Sequence, residues 1–255
     1  MIGLRLAIGT LTIIPVGDIH PLPRGAGRTA TLLAPLAVVP IAAAAGLVMW
    51  LALAVGVPAF VAAALVLALM AILTRAMHLD GLADTIDGMG GGWTRERALE
   101  IMHRGDVGPM GVAGIVLVLL IQTGSLASLA VLPWSGLLAA ASICASRVAA
   151  TVLCTTPIPS ARESGMGAVV ARSVPIAAAL ASAAAVAAVL SAAVSVTGLA
   201  WWWGLIAFGV MLAVLGIFTI VSIRKFGGIT GDVLGAGIEI AFTTLLVVLS
   251  VGVTS

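Results

Sequence analysis

The sequence predicts an all-α, polytopic transmembrane helix bundle of about seven spans, and three observations predict it. Hydrophobic residues make up 62% of the 255 residues and charged residues 9%, with a mean hydropathy of +1.26. Soluble domains carry about 45–50% apolar and about 25% charged residues, and one of this length could not bury so much apolar surface. Apolar runs recur near 29–55, 58–77, 107–130, 135–155, 174–197, 200–223 and 233–254, each long enough to cross about 30 Å of hydrocarbon as a helix. Finally, the charges gather in alternate linkers. Spans of about 20 residues nearly exhaust the chain, so residues 1–255 form a single integral membrane domain.

The elements follow in order. Leu4–Val16 is apolar but too short to span, so residues 1–28 are expected to lie in the interface or re-enter. Met1–Val16 lacks the small-residue pattern of a cleavable signal. The linkers Val55–Pro58, Leu132–Ser135 and Thr197–Ala200 carry no charge. The others hold Arg24 and Arg28, then Arg95, Arg97 and Arg104, then Arg162 and Arg172, then Arg224 and Lys225. The positive-inside rule places these basic linkers in the cytoplasm, with the N-terminus inside and the C-terminus outside. Trp201–Trp203 then fit an aromatic belt on the outer side. The alanine-rich stretch 177–193 suits close helix packing in lipid. Cys144 and Cys154, ten residues apart, would stand about 15 Å apart along a helix, too far for a disulfide. The net charge of +2 and pI of 8.9 reflect the basic linkers and imply no nucleic acid. The partners expected are a lipid bilayer and small substrates, with a homo-oligomer left open.

Six of the ten acids lie within His78–Asp106: Asp80, Asp84, Asp87, Glu96, Glu100 and Asp106. Carboxylates packed this closely repel one another unless a cation sits among them. Asp80, Asp84 and Asp87 at i, i+4 and i+7 fall on one helical face, within an arc of about 60°. Such a stripe suits one or two Mg²⁺ ions, which take oxygen ligands and keep waters for a phosphate to replace. The alternative is a solvated face paired with Arg95 and Arg97, but no base stands between Asp80 and Asp87. Gly81, Gly88 and Gly90–Gly92 would let backbone approach a ligand, or merely loosen a loop. Thr94 reads as a helix N-cap, with Glu96 and Arg97 structural. His78 stands beside the acids as a candidate proton carrier.

Arg147 and Glu239 fall inside apolar runs, where charge is costly and marks a functional candidate. They either pair or face a polar cavity. Lys225 precedes a glycine-rich turn and is a candidate phosphate contact. Asp232 is either a metal or hydroxyl contact or a plain N-cap of the last span.

Taken together, these residues resemble the cobalamin synthase family, the adenosylcobinamide-GDP ribazoletransferases. His78-Leu79-Asp80-Gly81-Leu82-Ala83-Asp84-Thr85, followed by Asp87-Gly88, matches the family's most specific signature. Ala98-Leu99-Glu100-Ile101-Met102, Gly108 and Gly111, and Ser146-Arg147 follow at the family's spacing. Ala161-Arg162-Glu163 with Gly165-Met166-Gly167 resembles a later loop, and Thr230-Gly231-Asp232, Leu234-Gly235-Ala236 and Glu239 a C-terminal motif. Thr10-Leu11-Thr12 with Pro15-Val16 is similar to the N-terminal segment. Two departures stand out: Phe242 occupies a position where members often carry a second acid, and His103-Arg104-Gly105-Asp106 shifts its acid from the commonest pattern.

The resemblance implies that a hydroxyl of α-ribazole, or of its 5′-phosphate, attacks the phosphate attached to cobinamide in adenosylcobinamide-GDP. GMP leaves, and Mg²⁺ assists. Asp80, Asp84, Asp87 and Asp106 are then the expected metal ligands, and Asp80, Asp84 and His78 the catalytic groups. Arg147, Arg162, Glu163, Lys225, Asp232 and Glu239 are the expected substrate contacts. A CDP-alcohol phosphotransferase is the nearest rival, but its D-x2-D-G spacing does not match the D-G-x2-D-x2-D-G order here. An ion-coupled transporter would show inverted repeats and helices broken at the midplane, and neither is evident.

The topology is testable. Reporter fusions at Gly92 and after Ser255 are expected to report opposite sides of the membrane; the same side for both would exclude seven spans with these termini.

Overall fold

Two prolines divide the first apolar run. Proline lacks an N–H and clashes with the preceding turn, so it sits at the start of a helix rather than within one. In the computed structural model, which describes residues 2–19 and 25–254, the run is cut at Leu33 and Val38. Pro35 and Pro40 each stand in the first turn of the segment that follows. Arg24 of the first basic linker lies outside the described residues.

The chain begins with α1 (Ile2–Leu11), then α2 (Ala26–Leu32), α3 (Ala34–Ala37) and α4 (Val39–Ala54). Next come α5 (Ala59–Leu73), α6 (Met77–Gly91) and the short α7 (Arg95–Ile101). Helices α8 (Pro109–Leu129), α9 (Ser135–Ser146) and α10 (Val148–Leu153) follow, then α11 (Met166–Val170), α12 (Ile176–Val196), α13 (Trp202–Phe226) and α14 (Gly231–Thr254). The only β-type pairs among the described residues are two isolated bridges, Thr155 with Val174 and Ser160 with Ile229.

Five elements are long and apolar enough to cross a bilayer: α8, the nearly continuous α9–α10 (Ser135–Leu153), α12, α13 and α14. They match five of the expected runs. Helices α5 and α6 qualify as a sixth only when taken together, and they meet at 90°. Helix α4, with 16 residues, is a shorter apolar helix of about 24 Å. The seventh expected span is therefore a broken segment, and its proline breaks are the physical reason.

Helices α9–α10 and α14 form the centre, and α4, α6, α8 and α13 pack around them. The main core joins side chains such as Met49, Leu126, Ile143, Met211 and Leu245. A second cluster, built on Phe226, Ile229, Cys154 and Val174, seals the end where the charged linkers meet. Both cysteines are free thiols. Large apolar side chains face outward, including Leu117, Leu180, Val189 and Ile217, as on a bundle surrounded by lipid. Trp201 and Trp202 are exposed at the uncharged end and meet edge to face, their ring centres 6.2 Å apart.

Helices α4 and α9 approach at Gly46 and Gly136, where a Cβ on either residue would overlap the other's carbonyl oxygen. Such contacts let dispersion act between backbones where lipid removes the hydrophobic drive. Gly46→Val is expected to cost about 1–3 kcal/mol through overpacking. It should lower the thermal midpoint in detergent; an unchanged midpoint would mean that the two helices can part freely.

Candidate active site

The site begins at the bend between α5 and α6. Arg75 (φ 56°) and Ala76 (φ 53°) both adopt left-handed backbone, which costs free energy in residues other than glycine. Tertiary contacts hold the bend. The Arg75 guanidinium donates to the carbonyls of Gly9 (2.9 Å) and Thr12 (3.3 Å), and Ile13 N–H donates to Leu73 O (2.7 Å). The bend swings α6 out of line with α5 and lays its first turns against the start of α14.

Glycine permits that contact. A Cβ on Gly81 would stand 2.7 Å from the carbonyl oxygen of Asp232 and 3.0 Å from its Cα. A Cβ on Gly235 would lie 3.3 Å from the Cα of His78. With both backbones this close, the carboxylate of Asp232 joins those of Asp80 and Asp84. Asp84 feels repulsion from Asp80, Asp232 and Asp87, and Arg162 is the base that offsets it. Asp80 is exposed and Asp84 half-buried, and neither carboxylate accepts a hydrogen bond among the described residues.

The stripe predicted from helical spacing then divides. Asp87 is buried, and both of its oxygens are taken: Gly108 N–H donates to one (2.7 Å) and Gly111 N–H to the other (2.8 Å). It caps the first turn of α8, whose unpaired N–H groups and positive dipole end favour a carboxylate. In this structure the carboxylate of Asp87, one of the expected metal ligands, serves as a structural clamp on α8. The other open point in the sequence concerned Asp232. Thr230, not Asp232, caps α14, since its Oγ1 accepts from Val233 N–H (3.2 Å) and donates to Asp232 Oδ2 (3.2 Å). Asp232 is thereby left to face the cleft.

In this structure Lys225 and Arg162, expected phosphate contacts, and Arg95 each donate to a backbone carbonyl. Lys225 Nζ donates to Gly92 O, Arg95 to Ala161 O (3.0 Å), and Arg162 to Leu99 O (2.8 Å). These bonds tie three linkers into one polar end. Lys225 and Arg95 are used in that tie, whereas Arg162 also acts on Asp84 and Asp232. Glu163 and Asp106 are exposed in loops and line neither of the two cavities described next. Thr94 caps α7 as expected, accepting from Arg97 N–H (3.3 Å). Glu100 pairs with Arg97 (2.7 Å) and Arg104 (2.9 Å) at the surface. Their hydrogen bonds, Arg104's first, hold its carboxyl below the usual range.

Two cavities meet at His78. The larger, about 200 Å³, lies between α1, α2, α6 and α14, with His78, Asp80 and Asp232 among its walls. The smaller, about 30 Å³, is lined by His78, Gln122, Arg147 and Glu239 together with apolar residues. It has room for about two waters and not for a substrate. Of the two arrangements open for Arg147 and Glu239, the structure contains the shared polar cavity. Arg147 is buried and donates to Ile143 O (3.0 Å) and Ser146 Oγ (2.8 Å), while Glu239 accepts from Gln122 Nε2 (2.9 Å). Neither lines the larger cleft. Sequence reasoning passed over Gln122, although the signal was present: it is the chain's single glutamine, within an apolar run of a chain that has no asparagine.

Among the described residues no three His, Cys, Asp or Glu side chains converge as a ready metal cage. Mg²⁺, however, is usually held by one or two carboxylates and completed by waters and substrate phosphates. Asp80 and Asp84, with Asp232 across from them, supply hard oxygen donors of that kind.

Comparison with known proteins gives one consistent result. The family model described as cobalamin-5-phosphate synthase matches residues 3–250. An adenosylcobinamide-GDP ribazoletransferase of Nocardioides sp. is 37% identical over 247 residues, covering 95% of each chain. The protein of that name from Bradyrhizobium diazoefficiens is 38% identical, covering 91% of this chain and 87% of its own. That from Rhizobium meliloti is 35% identical, covering 97% and 95%. No solved structure matches the chain.

The clamp on α8 separates Asp87 from its neighbours by experiment. Asp87→Asn is expected to destabilise the fold by about 1–3 kcal/mol, because one of the two N–H groups, Gly111's buried and Gly108's partly so, loses its acceptor. Asp84→Asn, which breaks no hydrogen bond, should melt like wild type in detergent. Equal melting of the two variants would remove the structural role given to Asp87.

Proposed function

The chain belongs to the cobalamin-5-phosphate synthase family, and from that premise we infer that it joins adenosylcobinamide-GDP to α-ribazole or its 5′-phosphate, releasing GMP. The oxygen of an acceptor hydroxyl bonds to the phosphorus attached to cobinamide. The bond from that phosphorus to the oxygen of GMP breaks, GMP departs with the electron pair, and the hydroxyl proton leaves. The reaction completes the nucleotide loop of adenosylcobalamin or of its 5′-phosphate.

The observation that carries this reading is the meeting of Asp80, Asp84 and Asp232 beside a cleft, at the one end of the bundle where the basic linkers gather. By the positive-inside rule that end faces the cytoplasm of the bacterial inner membrane, where both substrates would be water-borne. Bound Mg²⁺ would neutralise the diphosphate and the charge on the departing phosphate. Asp80 and Asp84, with Asp232, would hold it. Arg162, which acts on Asp84 and Asp232, would neutralise phosphate oxygens. His78, or one of the carboxylates, would accept the hydroxyl proton. Arg147, Gln122 and Glu239 line the small cavity on the other side of His78. Lys225 and Arg95 close the polar end around the substrates rather than touching them.

The test is GMP release from adenosylcobinamide-GDP plus α-ribazole, with Mg²⁺ and after its removal by chelation. Release is expected only with the metal. Asp80→Asn and Asp84→Asn should each lower turnover by at least about a hundredfold, equivalent to ~2.7 kcal/mol of barrier, in protein that still melts like wild type. Turnover within about tenfold of wild type would return these acids to a structural role.

A further inference from the structure

We propose that the larger cleft receives the aromatic base and ribose of the acceptor nucleoside, and that Ala34 and Ala150 set the size of base it admits. The proposal rests on the activity inferred above and adds where the acceptor lies and what selects it.

The cleft's walls argue for a flat apolar group. Ala7, Ala30, Ala34, Ala150 and Gly235 line it, and such small side chains leave width between backbones. Ala34 is only 1% exposed and Ala150 7%, so neither wall can retreat without repacking. Leu11 and Ile238 add apolar surface. A bicyclic aromatic ring buries much area against walls of this kind at little entropic cost.

The polar groups argue for an uncharged group that donates hydrogen bonds. His78, Asp80 and Asp232 line the cleft, and no lysine or arginine does so among the described residues. A diphosphate lying within the cleft would have only the cation held at its acidic edge to neutralise it, with no basic side chain on the walls for its remaining oxygens. Ribose hydroxyls would instead donate to those carboxylates. An acyl chain would suit the walls but would leave both acids facing hydrocarbon. Arg162, which acts on Asp84 and Asp232, lines no part of the cleft. The phosphates of adenosylcobinamide-GDP therefore belong on the Arg162 side of the acids and the acceptor's base on the other. The reacting hydroxyl and phosphorus then meet over Asp80 and Asp84.

The experiment uses the full chain in nanodiscs, varying each substrate in turn. Ala34→Leu narrows the cleft from within. Met166→Trp fills it from a wall position that is 40% exposed, where folding tolerates a larger side chain. Each is expected to raise KM for α-ribazole on the order of tenfold or more, with KM for adenosylcobinamide-GDP within about twofold. If Ala34→Leu does not fold, Met166→Trp carries the test. An unchanged KM for α-ribazole in Met166→Trp, or a rise confined to adenosylcobinamide-GDP, would overturn the assignment. Equilibrium dialysis of α-ribazole alone separates this from the activity itself. Binding by wild type that weakens in Met166→Trp supports the pocket even if no GMP is released, and no binding by wild type overturns it.

Discussion

Asp80 and Asp84 can face Asp232 only because no side chain stands between α6 and α14 at Gly81. Two helices in contact normally lie 8–10 Å apart, held off by their side chains. Here one backbone rests on the other at Gly81, with a second close approach at Gly235. The acidic cluster at this end of the bundle depends on that approach. It brings acids from two distant parts of the chain together, and it sets His78 between two cavities. The strained pair Arg75 and Ala76 aims α6 at α14, and hydrogen bonds from Arg75 to the N-terminal segment hold the bend in place.

In an apolar chain the few charges cannot be left unpartnered within the fold, and they are used in three ways. Lys225, Arg95 and Arg162 donate to carbonyls of neighbouring linkers, closing the polar end where helices leave orphan acceptors. Asp87 takes up two N–H groups at the start of α8. Arg147 and Glu239 share a small cavity with Gln122 and His78, each bonded to a neutral partner rather than to the other. The carboxylates of Asp80 and Asp84 are left with no hydrogen bond among the described residues. Crowded acids without partners are a poor structural choice and a good site for a cation and a phosphate.

The cleft beside them has the complementary character. Alanines and glycines make it roomy, and its polarity is confined to His78, Asp80, Asp232 and two threonines. One substrate is large and carries a diphosphate, while the other is a small aromatic nucleoside. A cleft whose walls carry no base, beside acids on which Arg162 acts from outside it, separates the two by charge, and so orients hydroxyl toward phosphorus.

The sequence by itself determined the fold class, most of the spans, the family and the location of the acids. Those follow from local quantities: apolar runs as long as a bilayer is thick, charges gathered in alternate linkers, and helical spacing that places Asp80, Asp84 and Asp87 on one face. Thr94 as a cap was equally legible, because a cap bonds within its own turn. Only the tertiary structure decided how these residues are used. Asp87 and Asp80 look alike along the helix, but the partners of Asp87 lie 21 and 24 residues away. Lys225 reaches a carbonyl 133 residues distant. Glu239 meets Gln122 rather than Arg147. Periodicity carries no information about such partners, because they are chosen by which backbones can approach, and that is settled by glycines, proline breaks and a bend that other parts of the fold must hold.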